Sequence, residues 1–142
     1  MGKEKRQNLN FARNMDIDAW RQRQISKRVM LRLAESDQAF KAEHADDTDA
    51  ELRELVRKKA RHLGLMPHPL ELPGGRYLAS RLGDWRDLSM DLGFSPPRAE
   101  RGLNAYRRLW QEESERFAEE RRAIKAEKRE KARQFQNGRG AT

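Results

Sequence analysis

The chain has no cysteine. That absence excludes a disulfide framework and any metal site built on thiolates. Histidine is scarce too: His44, His62 and His68 are the only three. His62 and His68 stand six apart across Pro67 with no clear third ligand, so no metal centre is expected. Long apolar runs are missing, and the opening Met1-Gly-Lys-Glu-Lys-Arg-Gln is polar. Neither a signal core nor a membrane span is expected, and Arg6 stands where a myristoylation signal wants Ser or Thr. The expectation is a soluble cytoplasmic protein with no membrane partner.

Catalytic signatures are equally thin. A nucleophile, a tuned acid–base pair or a metal would be needed. Gly74-Gly75 follows Pro73 but lacks the spacing of either nucleotide-binding glycine fingerprint. A His- and Asn-containing nuclease motif is absent. The acidic run Asp46-Asp47-Thr48-Asp49 is explained by helix capping, with Thr48 followed three residues later by Glu51. No catalytic residue, metal or cofactor is assigned, and the expectation is a protein that is not an enzyme.

What the chain has is charge. Charged residues make up 38% of it, hydrophobic ones 36%, and the net charge is +8. The excess is uneven. Residues 1–47 carry 10 basic and 8 acidic side chains, residues 48–95 carry 8 and 7, and residues 96–142 carry 13 and 8. Nets of +2, +1 and +5 put most of the positive charge in the last third. That pattern suits a polyanion, and the competing explanation is a solvated charged helix with no partner.

The punctuation divides the chain. Residues 1–14 read as a disordered arm. Residues 15–47 hold a helix from Asp16 to about His44, without Gly or Pro, in which Ile25, Val29 and Leu33 recur at four-residue steps near Trp20, Leu31 and Phe40. A second helix is expected from Asp49 to Leu63, with Leu52, Leu55, Val56, Ala60 and Leu63 inward and Arg53, Arg57, Lys58 and Arg61 outward. Gly64 ends it. Pro67, Pro69 and Pro73 forbid helix beyond. Two short helices then cover about 75–82, closed by Gly83, and 85–92, capped by Asp84 and closed by Gly93. Ser95-Pro96-Pro97 marks a boundary, with Ser95 as a cap and Pro97 in the first turn of the next helix. Residues 96–134 read as one long charged helix with a stripe of Leu103, Tyr106, Leu109, Trp110 and Phe117, its second half in solvent. Residues 135–142 read as a disordered tail. The fold class is all-α.

Within this layout, Ala60…Leu63-Gly64…Pro67, then Leu78…Arg81-Leu82-Gly83-Asp84-Trp85…Leu88…Leu92-Gly93-Phe94, resembles the homing-endonuclease-associated repeat. The resemblance covers residues about 50–94. Leu82 stands where that family commonly has Phe, and Asp84 where it has Ser. The family is a compact three-helix unit of helix-turn-helix character, found beside nuclease domains in bacteria, phages and mobile genetic elements. The resemblance therefore implies DNA binding, and a nucleoid-associated location. In a helix-turn-helix unit the second helix enters the major groove with its N-terminal residues nearest the bases. Leu78 and Leu82, four apart, should face inward, leaving Arg76, Tyr77, Ser80 and Arg81 as candidate contacts. Gly74 and Gly75 would let the helix N-terminus approach a phosphate. Lys58, Lys59 and Arg61 would touch flanking phosphates, and Arg121, Arg122 and Lys125 would add backbone contacts from the basic helix. The alternative for Arg76 and Arg81 is internal pairing with Asp84, Asp87 or Glu71. Trp85 is expected in the core with Leu88 and Leu92.

The leading expectation is a non-enzymatic nucleic-acid-binding protein, with DNA favoured over RNA. A second is a helical protein-interaction module, its contacts carried by the N-terminal helix or by Leu103, Tyr106, Leu109, Trp110 and Phe117. A third is an RNA-binding protein with its basic tail on a structured RNA.

Overall fold

A computed structural model describes the backbone of residues 2–140 and the side chains of residues 13–138. Five α-helices follow one another: α1 (Gly2–Glu43), α2 (Asp49–Leu63), α3 (Gly75–Leu82), α4 (Trp85–Asp91) and α5 (Ala99–Gly140). One 3-10 turn, Pro69–Glu71, lies between α2 and α3, and the described residues contain no strand. The protein is all-α. It divides into two compact units: residues 26–109, and a second made of residues up to 25 with residues from 110 onward. Helices α1 and α5 each contribute to both.

The unit of residues 26–109 is built on α2. Leu52, Val56 and Ala60, one turn apart, are fully buried. They join Phe40 of α1, Met66, Leu72, Leu78 of α3 and Leu88 of α4 in one cluster, with Leu55, Tyr77, Leu82, Trp85, Leu92 and Phe94 packed around it. Helix α2 starts where the Thr48 hydroxyl accepts from the Glu51 N–H at 3.2 Å. It ends at Gly64, whose φ of 75° is the left-handed value a side chain disfavours. Asp84 caps α4 by accepting from the N–H groups of Arg86 and Asp87 at 2.8 and 3.1 Å. Trp85 packs on the core while its indole N–H donates to the Pro67 carbonyl at 2.9 Å. Its polar edge is thereby satisfied at the core boundary.

The proline segment is folded around His68. Its Nδ1 accepts from the Leu70 N–H at 3.1 Å, and its own backbone N–H donates to Glu71 Oε1 at 2.9 Å. Each residue caps the other. Arg101, in the first turn of α5, donates to Glu71 Oε2 at 2.7 Å and to the Met66 carbonyl at 3.2 Å. Gly102 beside it is buried, and a Cβ there would stand 2.5 Å from His68 Nε2.

The other unit pairs the early part of α1 with the later part of α5. Trp20 leans on Phe117, ring centroids 5.7 Å apart at 60°. Phe117 is buried, and every residue from 118 to 138 is exposed. The second half of α5 therefore carries its charge in solvent, as its composition suggests.

Several boundaries and faces differ from the sequence reading. Helix α1 begins at Gly2 and α5 ends at Gly140, so residues 2–14 and 135–140 are helical where an arm and a tail were expected; Met1, Ala141 and Thr142 lie outside the described residues. Between Lys3 and Glu43 nothing breaks a helix: there is neither Gly nor Pro. Helix α5 starts at Ala99, which places Pro97 ahead of the helix. Leu63 (46% exposed) and Leu103 (55%) face solvent, as does Leu31 (59%). Leu63 follows Ala60 by three residues and is the last residue before the Gly64 turn, so the buried stripe closes one turn earlier.

Candidate nucleic-acid interface

The α3 residues singled out by the sequence are largely engaged inside the molecule. Arg76 donates from Nε to Asp37 Oδ2 of α1 at 2.8 Å. Arg81 makes three bonds: Nε to Asp49 Oδ1 at 2.8 Å, Nη1 to the Tyr77 hydroxyl at 2.9 Å and Nη2 to the Asp47 carbonyl at 2.7 Å. The Tyr77 bond does most to hold the Arg81 guanidinium above its ordinary pKa, partly opposed by desolvation and helped by Asp49. Tyr77 itself packs on the core, tilted against Phe40. Ser80 is exposed, and its hydroxyl donates back to the Tyr77 carbonyl at 2.8 Å. Both arginines pair internally, but with partners 32 to 39 residues away rather than with Asp84, Asp87 or Glu71.

The start of α3 is closed as well. Gly74 and Gly75 are buried. A Cβ on Gly74 would run into the Phe40 ring, and one on Gly75 would lie 1.6 Å from the Pro69 carbonyl oxygen. Their N–H groups donate to Ser36 Oγ at 3.2 Å and to the Leu72 carbonyl at 3.0 Å. These glycines serve close packing within the protein, not the approach to a phosphate that was expected of them.

On α2, Lys58, Lys59 and Arg61 are exposed. Lys58 borders a groove with Asp47, Glu51, Glu54 and Leu55, so its surroundings are acidic.

On α5, Arg121, Arg122 and Lys125 are exposed and fall on one face with Ser114, Phe117 and Ala118, at three- and four-residue steps. Together with Arg21 of α1 these residues line an open cavity of about 220 Å³. No carboxylate is among its described lining residues. The Arg121 guanidinium lies over the Trp20 ring, 5.5 Å from its centroid, which places the charge at the rim. Further along the helix, Lys131 pairs with Glu127 at 3.2 Å and Arg133 with Glu130 at 3.8 Å. The three sequence candidates on α5 are thus gathered around one cavity, whereas later cations of the same helix are partly neutralised. Arg21 was not singled out as a contact. The sequence signal for it is slight: it follows Trp20, but nothing local pairs it with residues a hundred positions away.

No group of three or more His, Cys, Asp or Glu side chains among the described residues could hold a metal ion. No described helix is long and apolar enough to cross a membrane. Comparison with protein-family models, curated proteins and solved structures gives no match to this chain.

Proposed function

We propose that this protein binds nucleic acid, duplex DNA above all, through the cations of the unit formed by early α1 and late α5. One observation carries the reading: Arg21, Arg121, Arg122 and Lys125 converge on one open face with no carboxylate among its described lining residues. Long, exposed cations so gathered release condensed counterions when they meet a phosphate backbone, and that release drives association. The rest of the chain supports it. The net charge is +8, and the resemblance of residues 50–94 to the homing-endonuclease-associated repeat points to a DNA context in bacteria or mobile elements. In this reading the three-helix unit is a scaffold whose α3 arginines hold its own turns together, and Lys59 and Arg61 make outlying phosphate contacts. The chain works without catalysis, in the cytoplasm and on the nucleoid.

The test is fluorescence anisotropy of a labelled duplex across a salt series. Salt-sensitive binding supports the reading; absence of binding at low salt overturns it. A helical assembly module is the second reading, favoured by Met15, Ile17, Ile124 and Phe135, which are large, apolar and exposed in the same unit. A mass that rises with concentration in sedimentation, without DNA retention, would select it. Competition by structured RNA would select an RNA partner.

A further inference from the structure

We infer that the duplex is held by its phosphate backbone alone, without preference for sequence. This deepens the proposed DNA-binding reading and rests on it. Sequence is read by side chains that reach base edges, and single strands are held by aromatic rings on which bases stack. The structure closes the base-reading route at α3 and engages the Trp20 ring within its own unit. Arg76 and Arg81, the α3 side chains able to grip guanine, are bonded to Asp37, Asp49, Tyr77 and the Asp47 carbonyl. Turning either toward a base would break those bonds and strand Asp37 or Asp49. The α3 N-terminus, which a reading helix inserts first, is buried at Gly74 and Gly75, with Phe40 and the Pro69 carbonyl occupying the space. Trp20, the most exposed of the three tryptophans, has Arg121 over its ring and Phe117 tilted against it. The ring, 39% exposed, is thus engaged by two side chains of its own unit.

What faces solvent is a set of long cations, Arg21, Arg121, Arg122 and Lys125, around a cavity whose other polar lining residue among the described ones is Ser114. On α5 the step from Arg121 to Lys125 is about 6 Å at 1.5 Å per residue. That is nearly two phosphate steps of a strand, in which phosphates recur every ~3.4 Å of axis, and long side chains span the difference. Flexible cations on phosphates position a duplex and carry no sequence information.

The experiment is selection of bound molecules from a pool of 20-base-pair duplexes with randomised centres, using the full chain, beside anisotropy on three unrelated duplexes and one single strand. The expected result is a bound pool with the base composition of the input, duplex affinities within about twofold of one another, and weaker binding of the single strand. Enrichment of one motif, with tenfold tighter binding of that duplex, overturns the inference while leaving the DNA-binding reading intact. Tighter binding of the single strand also overturns it. No binding of any duplex at low salt overturns the DNA-binding reading itself.

Discussion

Neutralising the α5 cluster should change the salt dependence of DNA binding by a calculable amount. The variant is Arg121→Gln, Arg122→Gln and Lys125→Gln together. All three sites are exposed, and Gln is a good helix former, so α5 should persist. The loss of the Arg121–Trp20 contact costs about 0.5–1 kcal/mol of stability. With the four lining cations on phosphates, log affinity should fall with log salt at a slope near −3.6, about −0.9 per contact. Raising salt from 50 to 200 mM then weakens binding by about 150-fold. The variant keeps Arg21, and its contribution from this site drops to a slope near −0.9, about 3.5-fold over the same range. Other cations add to both slopes, so the difference of about 2.7 is the decisive quantity. The assay is anisotropy of a labelled duplex at five salt concentrations, with circular dichroism to confirm helix. Lys131→Gln with Arg133→Gln is the control, because those cations already face Glu127 and Glu130. If the triple variant keeps the parental slope, the cavity is not where phosphates sit.

Leu78→Ala removes a buried side chain that α3 contributes to the core, and should cost about 2–5 kcal/mol in urea unfolding. An unchanged midpoint would contradict the core assignment. Gly75→Ala places a Cβ against the Pro69 carbonyl oxygen and should destabilise more than Gly64→Ala, whose site is open and penalised only by its positive φ. Comparison of the two melting temperatures checks the order. Stability should also depend on His68: burial is the main reason its pKa is lowered, Arg101 adds to the effect and Glu71 opposes it. The folded state binds the proton less readily than the unfolded chain. Stability from this group is therefore full above pH ~6.5 and is lost as pH falls through the lowered folded value. His68→Asn, which keeps a capping acceptor without titrating, should flatten that part of a urea-midpoint profile between pH 7.5 and 5.

Much of the fold was legible because its signals are local. Thr48 before Glu51, Gly64 after Leu63, Gly83 and Asp84 between two short apolar stripes, and Trp85 at inner-face spacing each specify a feature within a few residues, and the structure has them there. The ends of the long helices were less legible. Composition there is charged and Ala-containing, which suits a helix and a solvated coil alike, and no cap decides between them. The outward face of α3 was legible as a face but not as a role. Its spacing places Arg76 and Arg81 away from Leu78, yet the carboxylates that hold them lie on α1 and at the start of α2. Asp49 was read as part of a cap, and it does open α2, but it also receives Arg81.

That difference between the arginines follows from where the carboxylates fall once the chain is folded. Residues 26–109 carry 16 basic and 13 acidic side chains, a net of +3, while the remaining segments carry 15 and 10, a net of +5 from fewer residues. In the first unit the turns bring Asp37, Asp47, Asp49 and Glu71 against Arg76, Arg81 and Arg101, so its cations are used on its own structure. In the second, Glu113, Glu127 and Glu130 of α5 pair along the helix with Arg116, Lys131 and Arg133, and Arg121, Arg122 and Lys125 line one cavity with Arg21. Like charges around one cavity repel, and the Arg121–Trp20 contact offsets that repulsion only in part. An anion supplied from outside removes that repulsion, which is why the cluster, and not the α3 arginines, carries the binding proposal.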